Sequence, residues 1–339
     1  MEKVPLFARL FLDDRAFFTR TNCSMICFRG SEMKQPISLQ TTVLAVTLLT
    51  GLTIVAAQGK GPITIGSKID TEGSLLCQMT KQALEIKGYK VIDKCSTGTT
   101  QVVRKALLEG EIDMYPEYTG TGAYLFEKEK LETNNAKKLY QAVKALDLKV
   151  NKIVWLQPAP ANNTWAIAIP KKLAEAEQLK TIADLAKYIK AGKTFKLAAS
   201  QEFVDRADAL KAFERVYGFK LKPEQLVIVA GGNTTQTETA AAQGTSGVNA
   251  AMAYGTDGAI SALELVALTD SKGAVAVYQP AITVRKAVLD QNPELAQIIN
   301  PLFAKLDEKV LSGLNGKIAV GGVSAAKVAA DYLKSISGK

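Results

Sequence analysis

Aromatic side chains that follow predicted strands are the residues of this sequence best suited to binding chemistry. The segment 111–122 reads Glu-Ile-Asp-Met-Tyr-Pro-Glu-Tyr-Thr-Gly-Thr-Gly, and 248–258 resembles it, with an apolar strand followed by tyrosine, threonine and glycine. The rings at strand ends or chain crossings are Tyr115, Tyr118, Trp165, Tyr254 and Tyr278. Several π faces arranged as a box attract a quaternary ammonium group, at about 0.5–2 kcal/mol per face. The alternative is that these rings only pack in the core.

A ligand with a cationic head and a carboxylate tail would also need an anion-binding group nearby. The candidates are Lys68, Thr121 and Arg206, with Asn163 as a polar orienting contact. Arg206 precedes a predicted helix at 209–217, where free backbone N–H groups would also favour an anion. Arginine can hold a carboxylate through two parallel hydrogen bonds. The alternatives are a plain surface position for Lys68 and a surface pair between Arg206 and Asp208.

Composition argues against several classes of function. The 339 residues contain no histidine, and the four cysteines form no CxxC pair, so the commonest general base and the usual zinc patterns are missing. The net charge of +9 comes from dispersed lysines, which predicts a solvated basic surface and no nucleic-acid partner. We therefore predict no catalytic residue, no metal and no cofactor. The rival interpretation is an enzyme on a related two-lobed fold, with Lys68 or Cys77 as nucleophile.

Alternating strand and helix patterns must position these side chains. The succession is a strand at 63–68, a helix at 74–87, a strand at 89–92, a helix at 100–110 and a strand exit at 113–122. This rhythm predicts an α/β fold in which mostly parallel sheets are flanked by helices. Ligands of such sheets lie beyond the carboxyl ends of the strands, so Lys68 and Tyr118 should share one edge of a crevice. Pro116 is expected to stop its strand's ladder, because it has no N–H to donate.

Two lobes that face one cleft are predicted from the two similar strand exits. The Pro/Ala-rich stretch within 153–165 breaks both helix and strand, which suggests an interdomain crossing there. Residues 274–281 are predicted to form a strand that closes on Tyr278 and Pro280. The last part of the chain is expected to return to the first lobe. The predicted division is 58–160 plus 279–339 for lobe 1 and 161–278 for lobe 2.

The N-terminal region differs from the rest of the chain. Residues 33–57 combine Lys34, an apolar stretch and a final Val-Ala-Ala, which is typical of a secretory signal peptide and predicts export to an oxidising compartment. Residues 1–32 are interpreted as an upstream extension, the alternative being a genuine N-terminal anchor. Cys77 and Cys95 are the cysteines outside this leader. In an oxidising compartment they can form a disulfide, or they can remain two buried thiols.

The motifs at these positions resemble those of a known family. They are Gly66-Ser67-Lys68, the Tyr-Pro-Glu-Tyr-Thr-Gly-Thr of 115–121, the Asn-Asn-Thr-Trp of 162–165, the Tyr-Gly-Thr-Asp-Gly of 254–258 and the Tyr-Gln-Pro-Ala of 278–281. Through them, residues 60–339 resemble the osmoprotectant substrate-binding proteins of ABC importers, the glycine betaine/choline/carnitine-binding family, especially its periplasmic Yeh/Osm type. The resemblance implies a two-lobed periplasmic-binding-protein fold, type II-like, with the ligand cleft at the hinge. It also implies a monomer that delivers a quaternary-ammonium osmolyte to an ABC permease in the inner membrane.

The resemblance also implies roles for individual residues. Tyr118, Tyr254 and Tyr278 would be walls of an aromatic cage. The ligand's carboxylate would be held by Lys68, Thr121 and Arg206. Trp165 stands where many members carry tyrosine, which changes the size of the cage and removes a phenol. The choice among glycine betaine, proline betaine, choline and carnitine stays open, as does an amino acid or a polyamine on the same fold.

Overall fold

The computed structural model describes residues 61–230 and 233–338, in which strands and helices alternate. The strands in these ranges are β1 Ile63–Lys68, β2 Val91–Gly98, β3 Met114–Tyr118, β4 Ile153–Trp155, β5 Trp165–Pro170, β6 Leu197–Ala199, β7 Leu226–Ile228, β8 Ala250–Tyr254, β9 Leu265–Ala267 and β10 Pro280–Arg285. The helices are α1 Thr71–Ile86, α2 Thr100–Glu109, α3 Thr119–Leu125, α4 Ala136–Asn151, α5 Lys171–Ala176, α6 Ile182–Lys190, α7 Gln201–Asp205, α8 Leu210–Tyr217, α9 Thr234–Gln243, α10 Ala259–Ala262, α11 Lys286–Gln291, α12 Glu294–Phe303, α13 Glu308–Ala319 and α14 Ala325–Ser337.

The strands form two five-stranded sheets with the same plan of connections. Their strand orders are β2-β1-β3-β10-β4 and β7-β6-β8-β5-β9. In each sheet the first three strands pair parallel, and the fourth strand pairs antiparallel with both of its neighbours. The predicted α/β class with two sheets is confirmed. Parallel pairing holds for the βαβ part of each sheet, whereas β10 and β5 run the other way.

Helix α1 begins directly after β1 because its first turn is capped. The Asp70 side chain accepts a hydrogen bond from the Gly73 N–H at 2.8 Å, which satisfies one of the free donors at the helix start. Leu75, Leu76 and Met79 recur at helical spacing and are fully buried. The apolar face therefore holds α1 against the first sheet and leaves its N-terminal turn at the carboxyl edge of β1.

The buried core has two main clusters, and one of them contains residues of both sheets. Residues of β1, α1, α12, α13 and α14 form one cluster, which includes Ile65, Leu84 and Phe303. Residues of β5, β6, β8 and α8 form another. Tyr118 and Tyr278 also belong to this second cluster, so apolar packing continues where the two sheets meet.

Two chain segments connect the sheets, one between β4 and β5 and one between β9 and β10. They are hydrogen-bonded to each other: the Asn163 N–H donates to the Tyr278 carbonyl at 2.9 Å, and the Tyr278 N–H donates to Asn162 Oδ1 at 2.8 Å. β10, from the last part of the chain, joins the first sheet. The sheet memberships fit the predicted lobes, whose boundaries stay a prediction.

Cys77 on α1 and Cys95 on β2 form a disulfide, with the two Cα atoms 5.8 Å apart. The sequence left open a disulfide or two buried thiols, and the structure has the disulfide. The bond joins a helix to the edge strand of the first sheet.

Two sequence predictions about strands are wrong. β3 runs through Pro116, which lies opposite Ile282 of β10. The Thr119 N–H donates to the Gln279 carbonyl, and successive N–H groups of a strand point to alternate sides. At Pro116 the missing N–H therefore lies on the side away from β10, where the pairing with β1 has ended at Met114. Residues 274–279 are not a strand, and Pro280 begins β10 rather than closing a strand.

The predicted extension at 1–32 and signal peptide at 33–57 lie outside the described residues. Among the helices at 61–230 and 233–338, none has the length and apolarity needed to span a membrane.

Candidate functional site

A cavity of about 140 Å³ is lined by residues from both sheets. An apolar cavity of about 150 Å³ can hold a benzene-sized molecule, so this space suits a small ligand rather than a peptide. Its lining includes all eight residues that the sequence analysis selected: Lys68, Tyr118, Thr121, Asn163, Trp165, Arg206, Tyr254 and Tyr278. Their meeting in one cavity is an observation, whereas their role in binding remains a proposal.

The lining has two chemically different parts. We call the four rings the aromatic side, which consists of Tyr118, Trp165, Tyr254 and Tyr278. We call the four residues with charged side chains the charged side, which consists of Lys68, Asp70, Glu202 and Arg206.

On the aromatic side, pairing between strands brings two rings together. Trp165 at the start of β5 is the partner of Tyr254 at the end of β8, and their ring centroids are 4.7 Å apart with planes at 36°. The Tyr278 ring lies 6.3 Å from Trp165 at 76°, edge to face. Trp165 and Tyr254 are too close together for a cation to lie between them. The three rings instead form a corner, with Trp165 and Tyr278 as near-perpendicular walls.

Hydrogen bonds hold these rings by their polar edges. The Trp165 Nε1–H donates to the Tyr278 hydroxyl at 2.9 Å, and that hydroxyl donates to Asp208 at 2.7 Å. The Tyr118 hydroxyl donates to Glu72 at 3.0 Å. These hydrogen bonds satisfy the polar atoms at the ring edges and fix the orientation of the rings that line the cavity.

Gly120 is required by the position of Tyr278. A Cβ atom at residue 120 would lie 2.3 Å from Cε2 of the Tyr278 ring. The first turn of α3 can therefore approach that ring only with glycine at this position.

Tyr115, the remaining strand-end ring named from the sequence, lies elsewhere. It is fully buried among Val103, Leu107 and Ile112, and its hydroxyl donates to Glu117 at 2.9 Å. Side chains alternate along β3, so Tyr118 reaches the cavity and Tyr115 does not.

On the charged side, Lys68 is already ion-paired. Its ammonium lies 2.6 Å from Glu117 Oε1, 3.4 Å from the Thr121 hydroxyl and 4.9 Å from the centroid of the Tyr118 ring. The Glu117 side chain is fully buried, and the Lys68 side chain is 13% exposed. The prediction that Lys68 and Tyr118 share one crevice edge is confirmed.

Arg206 is paired with two acids, whereas Lys68 is paired with one. It follows α7, and its guanidinium bonds Asp208 through Nε at 2.8 Å and Nη2 at 2.6 Å, and Glu202 through Nη1 at 3.0 Å. The pairing with Asp208 suggested as an alternative therefore exists, but with Arg206 only 4% exposed it is not a surface pair. The guanidinium also lies 4.1 Å from the Tyr124 ring centroid and 5.6 Å from that of Trp165.

Two acidic residues of the charged side were not selected from the sequence. Burial would raise the pKa of Glu202, but Lys68, Arg206 and a hydrogen bond with Thr100 outweigh it and hold that pKa below its usual value. Burial raises the pKa of Asp70. Both residues follow strands at the crevice edge, β6 and β1, so the rule that selected Lys68 could have found them.

Asn163, the predicted orienting residue, is 4% exposed and faces a buried acid as well as the cavity. Its Nδ2 donates to Glu72 at 3.1 Å, and its Oδ1 accepts from the Thr256 N–H at 3.3 Å. Glu72 itself was missed, although it stands in the Asp-Thr-Glu-Gly sequence that starts α1.

The arrangement is chemically suited to hold a small cation or zwitterion. Its rings can contact a methylated ammonium group, and its two basic groups can approach a carboxylate. These basic groups are compensated by Glu117, Glu202 and Asp208, so they do not present free positive charge to the cavity.

The chain matches the family model of the substrate-binding domain of ABC-type glycine betaine transport systems over residues 61–335. It is 54% identical over 278 residues to the glycine betaine-binding protein YehZ of Escherichia coli (strain K12), which covers 82% of this chain and 91% of that protein. It is 31% identical over 280 residues to a glycine-betaine-binding protein of Pseudomonas aeruginosa, covering 80% and 87% of the two chains. The solved structure of ligand-free YehZ from Escherichia coli matches with a TM-score of 0.61 and 54% identity, covering 81% of this chain and 98% of that one.

Proposed function

We propose, from the premise that this chain belongs to the family of substrate-binding domains of ABC-type glycine betaine transport systems, that it captures a quaternary-ammonium osmolyte for import. The ligand class is glycine betaine and similar methylated amines. No catalytic step is part of the proposal, and the ligand leaves unchanged.

One observation carries the proposal: four aromatic rings and two basic side chains line a single small cavity between the two sheets. A permanently methylated ammonium has no N–H to donate, so recognition must come from π faces and shape. The ligand's cationic head would contact Trp165, Tyr254, Tyr278 and Tyr118. Its carboxylate would point to Lys68, Thr121 and Arg206, with Asn163 as the orienting amide.

The proposed place of action is the periplasm, after export directed by residues 33–57, and the proposed partner is an ABC permease in the inner membrane. The Cys77–Cys95 disulfide supports an oxidising compartment. The protein would work as a monomer whose lobes, 58–160 plus 279–339 and 161–278, close over the ligand. Residues 1–32 would have no part in binding.

The experiment is a titration of the protein from residue 58 onward with glycine betaine, choline, proline betaine and carnitine. Trp165 lies in the lining and should report binding through its fluorescence, with calorimetry as an independent measure. We expect saturable binding at one ligand per chain, a rise in melting temperature, and recovery of unmodified ligand. Binding of amino acids or polyamines in preference to all four amines would contradict the proposal, as would turnover of any of them.

A further inference from the structure

A buried acid outside the cavity lining accepts four hydrogen bonds, two of them from residues that line the cavity. Glu72, in the first turn of α1, is 3% exposed and does not line the cavity. Each of its two carboxylate oxygens accepts one hydroxyl and one amide donor. Oε1 accepts from the Tyr118 hydroxyl at 3.0 Å and the Asn163 amide at 3.1 Å. Oε2 accepts from the Thr256 hydroxyl and, at 2.8 Å, from the Asn315 amide.

These four donors come from separate parts of the chain. Tyr118 ends β3 in the first sheet, and Asn163 lies in the segment that connects the sheets. Thr256 lies in the turn after β8 of the second sheet, and Asn315 lies on α13. The Asn315 amide also donates to the Thr256 carbonyl at 3.0 Å, so the turn and the helix are linked directly. One carboxylate therefore joins both sheets and a connecting segment.

We propose that Glu72 is a positioning residue for the binding site, and that its ionised form sets Tyr118 and Asn163 for contact with the cationic ligand. The inference rests on the proposed function, since it concerns the affinity of that same cavity. Glu72 does not touch the ligand. It acts through the ring and the amide that line the cavity.

Protonation of Glu72 changes its hydrogen bonds in a definite way. Amide N–H groups can only donate, so a proton on either oxygen requires the hydroxyl partner there to turn from donor to acceptor. On Oε1 that partner is Tyr118, and on Oε2 it is Thr256. Protonation also removes a negative charge from the hydroxyl end of the Tyr118 ring. Loss of this charge weakens the attraction of that ring for a cation whichever oxygen is protonated, and reversal of the Tyr118 hydroxyl weakens it further when the proton is on Oε1.

The protonation of Glu72 falls in a pH range in which binding can be measured. Burial raises the pKa of Glu72 to about 7, with Asp70 contributing in the same direction, while the donors Thr256, Asn315 and Tyr118 oppose the rise. Glu72 is therefore mostly ionised above pH 7 and mostly protonated below it. Because the ligand favours the ionised form, affinity should rise as pH increases through this range.

Other titratable and charged groups surround Glu72. Asp70, directly before the helix that carries Glu72, raises the pKa of Glu72 through its negative charge. Lys68 at the end of β1 and Glu117 on β3 act electrostatically on Asp70. Asp257 is the acid in the turn after β8. Burial raises the pKa of Asp257 to about 6, and its side chain is hydrogen-bonded to Glu238 of α9.

The experiment measures the affinity of the protein for glycine betaine and for choline between pH 5.5 and 8.5. Neither ligand titrates in this range, so a pH dependence belongs to the protein. We expect roughly fivefold or greater loss of affinity for both ligands from pH 8 to pH 5.5. A flat profile in the unaltered protein would overturn the proposal without any variant.

Three variants test whether Glu72 is the group whose titration causes the pH dependence of affinity. Glu72→Gln should bind more weakly and with a flat pH profile. Asn315→Ala removes a donor to the ionised form on the oxygen away from Tyr118, so its midpoint should move to higher pH. Asp257→Asn, the matched control, removes a second buried acid whose pKa is raised by burial and should leave the midpoint near 7. Loss of the transition in Asp257→Asn, or an unmoved midpoint in Asn315→Ala, would refute the role of Glu72.

A separate measurement distinguishes this inference from the proposed function. The carboxyl ¹³C resonance of Glu72 in the ligand-free protein should titrate near pH 7 whichever ligand the cavity takes. If the unaltered protein binds no quaternary amine at any pH, the proposed function fails. If it binds them with an affinity independent of pH, only the inference about Glu72 fails.

Discussion

The aromatic side and the charged side of the cavity differ in how they are prepared for a ligand. On the aromatic side, hydrogen bonds hold the polar edges of Tyr118, Trp165 and Tyr278, and no carboxylate of the protein has to be displaced from the rings that line the cavity. On the charged side, Lys68 and Arg206 are paired with carboxylates of the protein itself. A methylated cation can contact the rings that line the cavity without displacing a hydrogen bond of the protein. A ligand carboxylate must instead share donors that internal acids already occupy.

This difference indicates where binding energy should arise. Contacts of a desolvated cation with several rings can contribute about 2 kcal/mol or more. An added carboxylate near compensated bases gains less, because its attraction to each base is offset by repulsion from the neighbouring acid. We therefore expect the cationic head to dominate affinity and the charged side to adjust which ligand is preferred.

Trp165→Ala should have the largest effect. It removes the ring that contacts Tyr254 and Tyr278, and it leaves the Tyr278 hydroxyl with Arg206 as its remaining donor. We expect a loss of about 2–3 kcal/mol, which is roughly 30- to 150-fold in affinity, for glycine betaine and choline alike. Calorimetric titration of both ligands measures it. Near-normal affinity in a folded variant would show that the rings do not form the cage.

Gly120→Ala should come next, because its new methyl group would meet the Tyr278 ring at 2.3 Å and displace that wall. We expect a loss of roughly tenfold, or about 1.4 kcal/mol, again for both ligands, measured by the same titration. Gly313→Ala is the matched control, since a Cβ atom there has no neighbour within 4 Å. Equal affinities in the two variants would mean that Tyr278 is not a wall of the binding site.

Glu202→Gln should have a smaller effect, and one of opposite sign for the two ligands. It removes a negative charge 3.0 Å from Arg206, which frees donor capacity for a ligand carboxylate and weakens the attraction for a bare cation. We expect glycine betaine to bind about threefold more tightly and choline about threefold more weakly, near 0.7 kcal/mol each, in parallel titrations. Changes of the same sign for both ligands would argue against a carboxylate subsite on the charged side.

Replacement of Cys77 and Cys95 by serine should have the smallest effect on affinity, because neither residue lines the cavity. The bond closes a loop between residues 18 apart, so its loss should lower the free energy of unfolding by about 3 kcal/mol. Denaturant unfolding and ligand titration of the same variant separate the two quantities. More than a roughly threefold change in affinity, about 0.7 kcal/mol, would show that the first lobe transmits this local change to the site.

Much of the site could be predicted from the sequence because strand ends are visible in it. Lys68 and Tyr118 end β1 and β3, which are parallel neighbours, and Tyr254 ends β8. Carboxyl ends of parallel strands meet at one sheet edge, so the positions alone predicted their proximity. Trp165 was found through the chain crossing, where breaks in helix and strand patterns mark a change of direction. Tyr278 was selected as the end of a predicted strand at 274–281, although the structure has no strand at 274–279.

The errors arose where a neighbouring strand decides the outcome. Pro116 does end ladders in principle, but here its missing N–H lies on the side where β1 no longer pairs. The fourth strand of each sheet is antiparallel because it arrives from the other lobe, which a local βαβ rhythm does not reveal.

By itself, the sequence determined the α/β class, the rings at the strand ends and the absence of histidine chemistry, because these follow from local pattern and composition. Only the tertiary structure decided which charges are compensated and which acid accepts hydrogen bonds from both sheets. Lys68 pairs with Glu117, Arg206 pairs with two acids, and Glu72 receives donors as far along the chain as Asn315. Such contacts depend on side-chain direction and on pairing across the fold, and neither is encoded in spacing along the chain.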